Sequence, residues 1–303
     1  MRAKPDHDCL TIELLIPYFG SRHLLEIAAR SVIDQDDPHW RLRVVQDGPD
    51  VEDAEPWLSG LNDDRVSYHR NPRNLGTTGN FQRCLDLATG SHVVFLGCDD
   101  VLMSNYVASV RRAVARHPDA SVIQPRVAVI DVVGRRIRPL ADRVKRAIGP
   151  RAGGDVCLEG ESLAASLMRG NWLYFPSLCW RRDRILEHGF RQDLPVTLDL
   201  ALLAKVVLDG GRLVVTAEEA FCYRRHSTSL SSSTAREADR FQEEANLLDE
   251  LARAFDRAGW RRAARAARGH LMSRLHAVMH IPRAVARRDR SATRRLIRHV
   301  VVS

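Results

Sequence analysis

"VVFLGCDDVLM", Val93 to Met103, is an apolar run that stops at two adjacent aspartates. Val93 to Leu96 and Cys98, interrupted only by Gly97, read as a buried strand. Asp99 and Asp100 then stand at its carboxyl end. Two neighbouring carboxylates at that point either cap the next helix, expected to begin near Ser104, or hold something positive. The flanking sequence bears on that choice.

Upstream, "TIELLIPYFG" (Thr11–Gly20) reads as a strand ending at Pro17 with a glycine turn after it. Leu24, Ile27, Ala28, Val32 and Ile33 follow at helical spacing. "WRLRVVQDG" (Trp40–Gly48) is a second strand, Glu52–Leu61 a short helix, and "RVSYHR" (Arg65–Arg70) a third strand. "NPRNLGTTGN" (Asn71–Asn80) is turn-rich and leads to a helix from Phe81 to Ala88. Downstream of the aspartates, "NYVASVRRAVARHP" is a helix stopped by Pro118. Four strand–helix alternations with short connections predict an α/β fold, a mainly parallel sheet with helices on both faces. Ligands of such sheets bind outside the carboxyl ends of the strands. Phe19-Gly20, Asp47-Gly48, Arg70–Asn74 and Asp99-Asp100 therefore converge on one rim.

Beyond this core, Ser121–Val133 is strand-like, and Gly134–Gly154, with six Arg and one Lys, reads as a mobile basic loop. A helix near Glu161–Met168, an apolar helix in "VTLDLALLAKVVLDGGRLVV" and a following strand lead to "CYRRHSTSLSSS". The expected organisation is a domain over 1–233 and a helical extension over 234–303, broken at Gly259 and Pro282.

The 303 residues, 45% hydrophobic and 28% charged, are ordinary for a soluble globular protein. From Ala235 onward 16 Arg face eight acids, so the whole formal excess of +8 sits in the extension. Such a segment suits an anionic membrane surface, docking on the first domain, or pairing with another copy. Its scarcity of aromatics argues against nucleic acid. Six cysteines with no CxxC spacing fit reduced thiols rather than disulfides or zinc. The polar first ten residues, and the lack of any apolar run near the ~18 residues of a spanning helix, set the expectation of a cytoplasmic protein, at most peripheral at the inner face of the membrane.

Five segments resemble, in order, those of bacterial family 2 glycosyltransferases with the GT-A fold. "LLIPYFGSRHLLEIAARSVIDQDDPHWRLRVVQDG" resembles the opening strand–helix–strand, with Ser31-Val32-x-x-Gln35 and Trp40 as landmarks. "RNPRNLGTTGNFQRCLDLATGSHVVFLGCDD" contributes the next two, the turn-rich approach and the metal-binding aspartates. "LDLAL" (Leu198–Leu202) resembles the helix start that carries the catalytic base, and "YRRHSTSLS" the closing Tyr-Arg-x-His signature. Some positions depart from the family pattern. Asp-x-Asp-Asp is Gly97-Cys98-Asp99-Asp100 here, Gln46 replaces the first of an Asp pair, Phe19-Gly20 stands where Tyr-Asn is common, and Leu198-Asp199 replaces Glu-Asp.

The resemblance implies an inverting transferase that takes a sugar from a nucleotide-diphospho-sugar, UDP- or dTDP-type, to a hydroxyl of a glycan, lipid-linked or small-molecule acceptor. It implies Mn²⁺ or Mg²⁺, hard ions that accept carboxylate and phosphate oxygens together, held by Asp99, Asp100 and His226. Pro17, Phe19, Asp47, Asn74, Gly76, Asn80, Asp99 and Arg224 would bind the donor, with Asp47 on the base and Arg224 near the diphosphate. Asp199 would be the general base, and Trp172 and Tyr174 would face the acceptor. Each residue also has a plainer reading. Asp47-Gly48 is a common turn, Asn74, Gly76 and Asn80 are turn and cap types, and Asp199 suits a helix N-terminus. Arg225 suits an exposed basic turn, and aromatics clustered from Trp172 to Trp180 suit a core. A nucleotidyltransferase, or a catalytically idle binder of sugars or nucleotides, are the rival functions.

Overall fold

The computed structural model of the chain describes residues 10–150, 153–225 and 234–269; the expected metal ligand His226 lies outside them. In chain order the elements begin β1 (Ile12–Tyr18), α1 (Arg22–Ile33), β2 (Trp40–Gln46), α2 (Glu55–Ser59), β3 (Val66–Arg70), α3 (Gly76–Leu87) and β4 (His92–Phe95). Next come β5 (Val101–Leu102), α4 (Tyr106–Arg116), β6 (Val122–Ile130), α5 (Leu140–Ile148), β7 (Val156–Glu159) and α6 (Gly160–Arg169). The chain continues with β8 (Cys179–Arg181), α7 (Asp183–Leu186), α8 (Leu198–Leu208), β9 (Arg212–Arg224), α9 (Thr234–Arg257) and α10 (Arg261–Gly269).

Among the described residues the strands form one nine-stranded sheet in the order β3-β2-β1-β4-β8-β6-β9-β5, with β7 also paired to β9. β1 to β4 are mutually parallel. β8 is antiparallel to both β4 and β6, and β9 is parallel to β6. Two reversals restore direction, so β6 and β9 run the same way as β1 to β4. Six strands therefore deliver their carboxyl ends to a single rim.

β1 is apolar without alternation because both of its faces are covered, as a central parallel strand requires. Pro17 survives there for a reason of phase. Leu15 O accepts Leu96 N–H on the β4 side, whereas Tyr18 O accepts Asp47 N–H on the β2 side. Pro17 is in phase with Leu15 and faces β4 after that pairing has stopped, so the missing N–H forfeits no ladder bond. The one carboxylate inside β1, Glu13, is tied by Arg43 Nε at 3.1 Å and by the N–H groups of Thr89 and Gly90 at 2.8 and 2.6 Å. It braces the amino end of the sheet, opposite the rim.

β4 divides its side chains between two cores. Val94 and Leu96 join α1 and α4 on one face, while Val93 and Phe95 join α3, α6 and α8 on the other. Leu247, Leu248, Leu251 and Phe255 of α9 and Ala263, Ala264 and Ala267 of α10 belong to that second core. The first two helices of the basic extension thus dock on the sheet domain.

Two sequence expectations change. α3 begins at Gly76, not Phe81, because Asn74 Oδ1 accepts the Gly76 N–H at 2.7 Å and opens the helix early. The stretch after Gly134 contains helix α5 instead of being a loop throughout. Its buried anchor is Asp142, the single acid in a run of cations.

Candidate active site

The two aspartates do not cap α4, which starts at Tyr106 behind Asn105. They sit in the turn between β4 and β5, Asp99 half-buried and Asp100 2% exposed. A Cβ placed on Gly97 would fall 2.6 Å from Asp100 Oδ2 and 3.0 Å from Asp99 Oδ1. Both carboxylates therefore close over the bare backbone of Gly97, in the space a side chain would fill. Burial first, and the adjacent Asp99 charge second, push the Asp100 carboxyl well above the usual carboxylate range. Two carboxylates crowded this way suit a hard divalent cation, which commonly takes one or two protein carboxylates and completes its shell with substrate phosphates and water. Cys98 is no competitor: burial and the Asp99 charge push its thiol up to about 12. Among the described residues no group of three or more His, Cys, Asp or Glu side chains is placed to hold a metal ion without further ligands.

Arg224 holds this turn. Its N–H donates to Asp100 Oδ1 at 2.8 Å, and Nε donates to Asp99 O at 2.7 Å. Nη1 reaches Asp131 O at 3.0 Å and Val132 O at 3.1 Å at the end of β6. The guanidinium expected near a diphosphate is engaged with backbone carbonyls, so Arg224 positions the aspartates.

Two strands away, roughly 10 Å at ordinary strand spacing, lies the end of β2. Asp47 is 2% exposed, and its Oδ1 accepts Asn71 Nδ2 at 3.1 Å and Leu75 N–H at 2.8 Å. Asn71 Nδ2 also donates to Asn80 Oδ1 at 2.9 Å, and Asn80 Nδ2 to Val45 O at 3.0 Å. Asp47 and Asn80 are therefore buried struts that press the Asn71–Leu75 segment against β2, and a direct base contact by Asp47 would fall to Oδ2. The approach is so close that Gly48, at φ +87°, would put a Cβ 2.6 Å from Asn74 N. Gln46 explains its own departure from Asp. Its amide donates to Gly48 O at 3.1 Å while its oxygen accepts Tyr68 OH at 2.9 Å, and a carboxylate could not do both. Between these walls Phe19 stands 53% exposed, while Asn74 and Gly76 line the surface at the start of α3.

Asp199 lies in the first turn of α8, half-buried, with Asn171 Nδ2 3.4 Å from its Oδ2. Asn171 Oδ1 accepts the Leu173 N–H at 3.2 Å, which ties Asp199 to the segment carrying Tyr174. Tyr174 donates its hydroxyl to Asp142 Oδ1 at 2.8 Å, and Arg225 Nη2 donates to the same oxygen at 2.9 Å. Arg225 is thus an internal partner, not an exposed turn residue. Burial and Asp142 raise the Tyr174 pKa, so this hydroxyl remains a donor. Trp172 is a correction: at 3% exposure, with its indole N–H on Ser166 Oγ at 3.2 Å, it is a core residue and not an acceptor wall.

Residues 13–174 match the family profile described as Glycosyl transferase family 2. The chain belongs to that family. Glycosyl transfer is therefore its chemistry. This glycosyltransferase is 27% identical over 239 residues, 74% of its length, to uncharacterized protein MT1568 of Mycobacterium tuberculosis, covering 67% of that protein. It is 31% identical over 102 residues to a GalNAc(5)-diNAcBac-PP-undecaprenol beta-1,3-glucosyltransferase of Campylobacter jejuni, a match spanning 33% of each chain. Its fold matches S. aureus TarS 1–349 with a TM-score of 0.65 at 14% identity, over 96% of this chain and 81% of that one. TarS has also been solved with UDP-GlcNAc. The GT-A fold expected from the sequence is thereby shown.

Asn71, Asp142 and Asn171 do not stand out as site residues in the sequence, and Arg225 reads there as an exposed turn residue beside the diphosphate-side Arg224. Asp142 carried one usable signal, a lone acid among cations, which in a folded chain calls for an internal partner. Asn71 and Asn171 carried none, since their partners are distant in sequence.

Proposed function

We propose that this family 2 enzyme transfers a sugar, with inversion, from a UDP- or dTDP-type donor to a hydroxyl of a lipid-linked or other envelope glycan. The observation that carries the reading is the pair of carboxylates folded over Gly97 at the rim. Asp99 and Asp100 would hold Mn²⁺ or Mg²⁺, which when bound neutralises the departing diphosphate. Arg224 keeps both aspartates in register with the end of β6. The Asn71–Leu75 segment, fixed by Asp47 and Asn80, and the exposed ring of Phe19 form the nucleotide side. Asp199, oriented by Asn171, takes the proton of the acceptor hydroxyl as its oxygen attacks the anomeric carbon. The UDP-GlcNAc complex of TarS supports the donor class, and the Campylobacter relative, named for an undecaprenol-linked substrate, supports the acceptor class. The five described cysteines are unpaired, which suits work in the reducing cytoplasm.

The test is a thermal-shift panel of UDP, dTDP, GDP and ADP, each with and without Mn²⁺, on the parent and on an Asp99→Asn/Asp100→Asn double variant. At a hundredfold excess over Kd, one pyrimidine nucleotide should raise Tm by about 5 °C. The rise should require Mn²⁺ and vanish in the double variant. No response to any nucleotide would remove the donor reading.

A further inference from the structure

α5 is an amphipathic helix that leaves an apolar stripe in solvent while it buries a carboxylate. Two of its charged residues face inward: Asp142 is buried on Tyr174 and Arg225, and Lys145 Nζ donates to Leu173 O at 2.8 Å. Its apolar stripe, Leu140, Val144 and Ala147 at i, i+4 and i+7, faces out, with Leu140 60% exposed and Val144 36%. The turn just before it leaves Val132 61% and Val133 69% exposed. Four of the seven large exposed hydrophobics among the described residues therefore fall within residues 132–144. Scattered exposed hydrophobics need no explanation, but a cluster does.

The charge around the cluster has one sign. Arg135, Arg138, Arg143 and Arg146 are exposed, and none has a carboxylate partner among the described residues. The two acids of the segment are turned inward. Asp142 serves Tyr174 and Arg225, and Asp131 Oδ1 accepts the N–H groups of Val133 and Arg135 at 3.0 and 2.8 Å. Glu219 pairs with the neighbouring Arg136 at 2.7 Å, and among the described residues no carboxylate pairs with the other four guanidinium groups.

We infer that the turn at 131–134 and helix α5 form a docking face for an anionic lipid surface. The aliphatic side chains would enter the acyl boundary while the flanking arginines meet the headgroups. Charge complementarity selects this occupant. A second copy on a two-fold axis would bring the same arginines together. Residues 270–303, with eight Arg against one Asp, are repelled by the face. The face also adjoins the rim. Arg224, which holds Asp99 O, holds Asp131 O and Val132 O through the same guanidinium. Docking there sets the rim beside the lipid headgroups. The inference does not depend on the donor or metal assigned above, and its assay contains no nucleotide.

The experiment is flotation of the full chain with vesicles of equimolar phosphatidylglycerol and phosphatidylcholine, against pure phosphatidylcholine. Parent protein should float only with the anionic vesicles. Leu140→Asp/Val144→Asp and Arg143→Glu/Arg146→Glu should each weaken partitioning by at least about tenfold. Arg294→Glu/Arg295→Glu, in the basic extension, should weaken it less. Unchanged circular dichroism and melting certify that the exposed-site variants fold. Parent protein indifferent to phosphatidylglycerol, or both face variants floating like the parent, would overturn the inference. So would sedimentation velocity in which the face variants lose self-association while vesicle binding stays intact.

Discussion

Gly97 and the two aspartates after it carry the argument for metal-assisted transfer, and they also define what a substitution would do. A methyl group at position 97 meets Asp100 Oδ2 at 2.6 Å and Asp99 Oδ1 at 3.0 Å, not backbone. Side-chain oxygens can rotate away, so the fold should tolerate the change while the carboxylates lose their convergence. Gly97→Ala is expected to melt within about 1 kcal/mol of the parent, the range of a change outside a packed core. It should nevertheless lose most of the Mn²⁺-dependent nucleotide shift. Gly97→Asp, which restores the family's third acid in sequence, should do no better, because the same space is already filled. Improved metal dependence in Gly97→Asp would show that the two carboxylates do not occupy that space in solution. The aspartates were readable in the sequence because a buried strand ending in two charges is conspicuous by itself. The struts Asp47 and Asn80 were not, since what makes them struts is Asn71, reached across a chain reversal.

The element that carries the proposed base is held by a helix that the shift in composition places in a separate extension. Glu243 of α9 accepts three hydrogen bonds on Oε1, from Val196 N–H at 2.9 Å, Thr197 N–H at 2.8 Å and Thr197 Oγ1 at 2.9 Å. These donors lie just before α8, whose first turn carries Asp199. Helix starts leave N–H groups without intrahelical partners, and here a carboxylate from another element answers them. Glu243→Ala should destabilise the protein by about 1–3 kcal/mol, the range for hydrogen bonds to a charged acceptor. With the proposed activity in hand, kcat should fall while UDP affinity holds, because the nucleotide side of the rim rests on β1 and β2. Glu243→Gln keeps the accepting oxygen and should recover most of both losses. A Glu243→Ala enzyme with full kcat would mean that Asp199 does not depend on this contact. The alternation from β1 to α4 could be read from periodicity, since each helix there packs next to its own strands. The bond from α9 to α8 could not, because composition marks α9 only as charged and helical.

For the molecule as a whole, the question is whether the chain divides near residue 233, as the shift in composition at that point suggests. Leu247, Leu248, Leu251 and Phe255 of α9 are each 4% exposed or less, inside the core that contains α3, α6 and α8. Fully burying a Leu or Phe side chain contributes about 1.5–3 kcal/mol, so these four account for roughly 6–12 kcal/mol. Total folding stability is typically only about 5–15 kcal/mol. Removing α9 would therefore take away most of the margin and leave an apolar face of the sheet domain open to water. It would also remove Glu250, whose two carboxylate oxygens lie 2.7 and 2.6 Å from Arg191 Nη1, and the Glu243 acceptor of Thr197. A chain cut after residue 233 should be insoluble or melt without a cooperative transition. A chain cut after residue 269 should melt cooperatively and keep the Mn²⁺-dependent nucleotide response. Expressing both cuts beside the full chain, with calorimetry and the nucleotide panel, decides the matter. A cooperative melt of the shorter piece near the full-length Tm would make α9 and α10 an appendage. Its absence would make them part of the catalytic domain, and would leave the cut after residue 269 as the one of the two that the fold can bear.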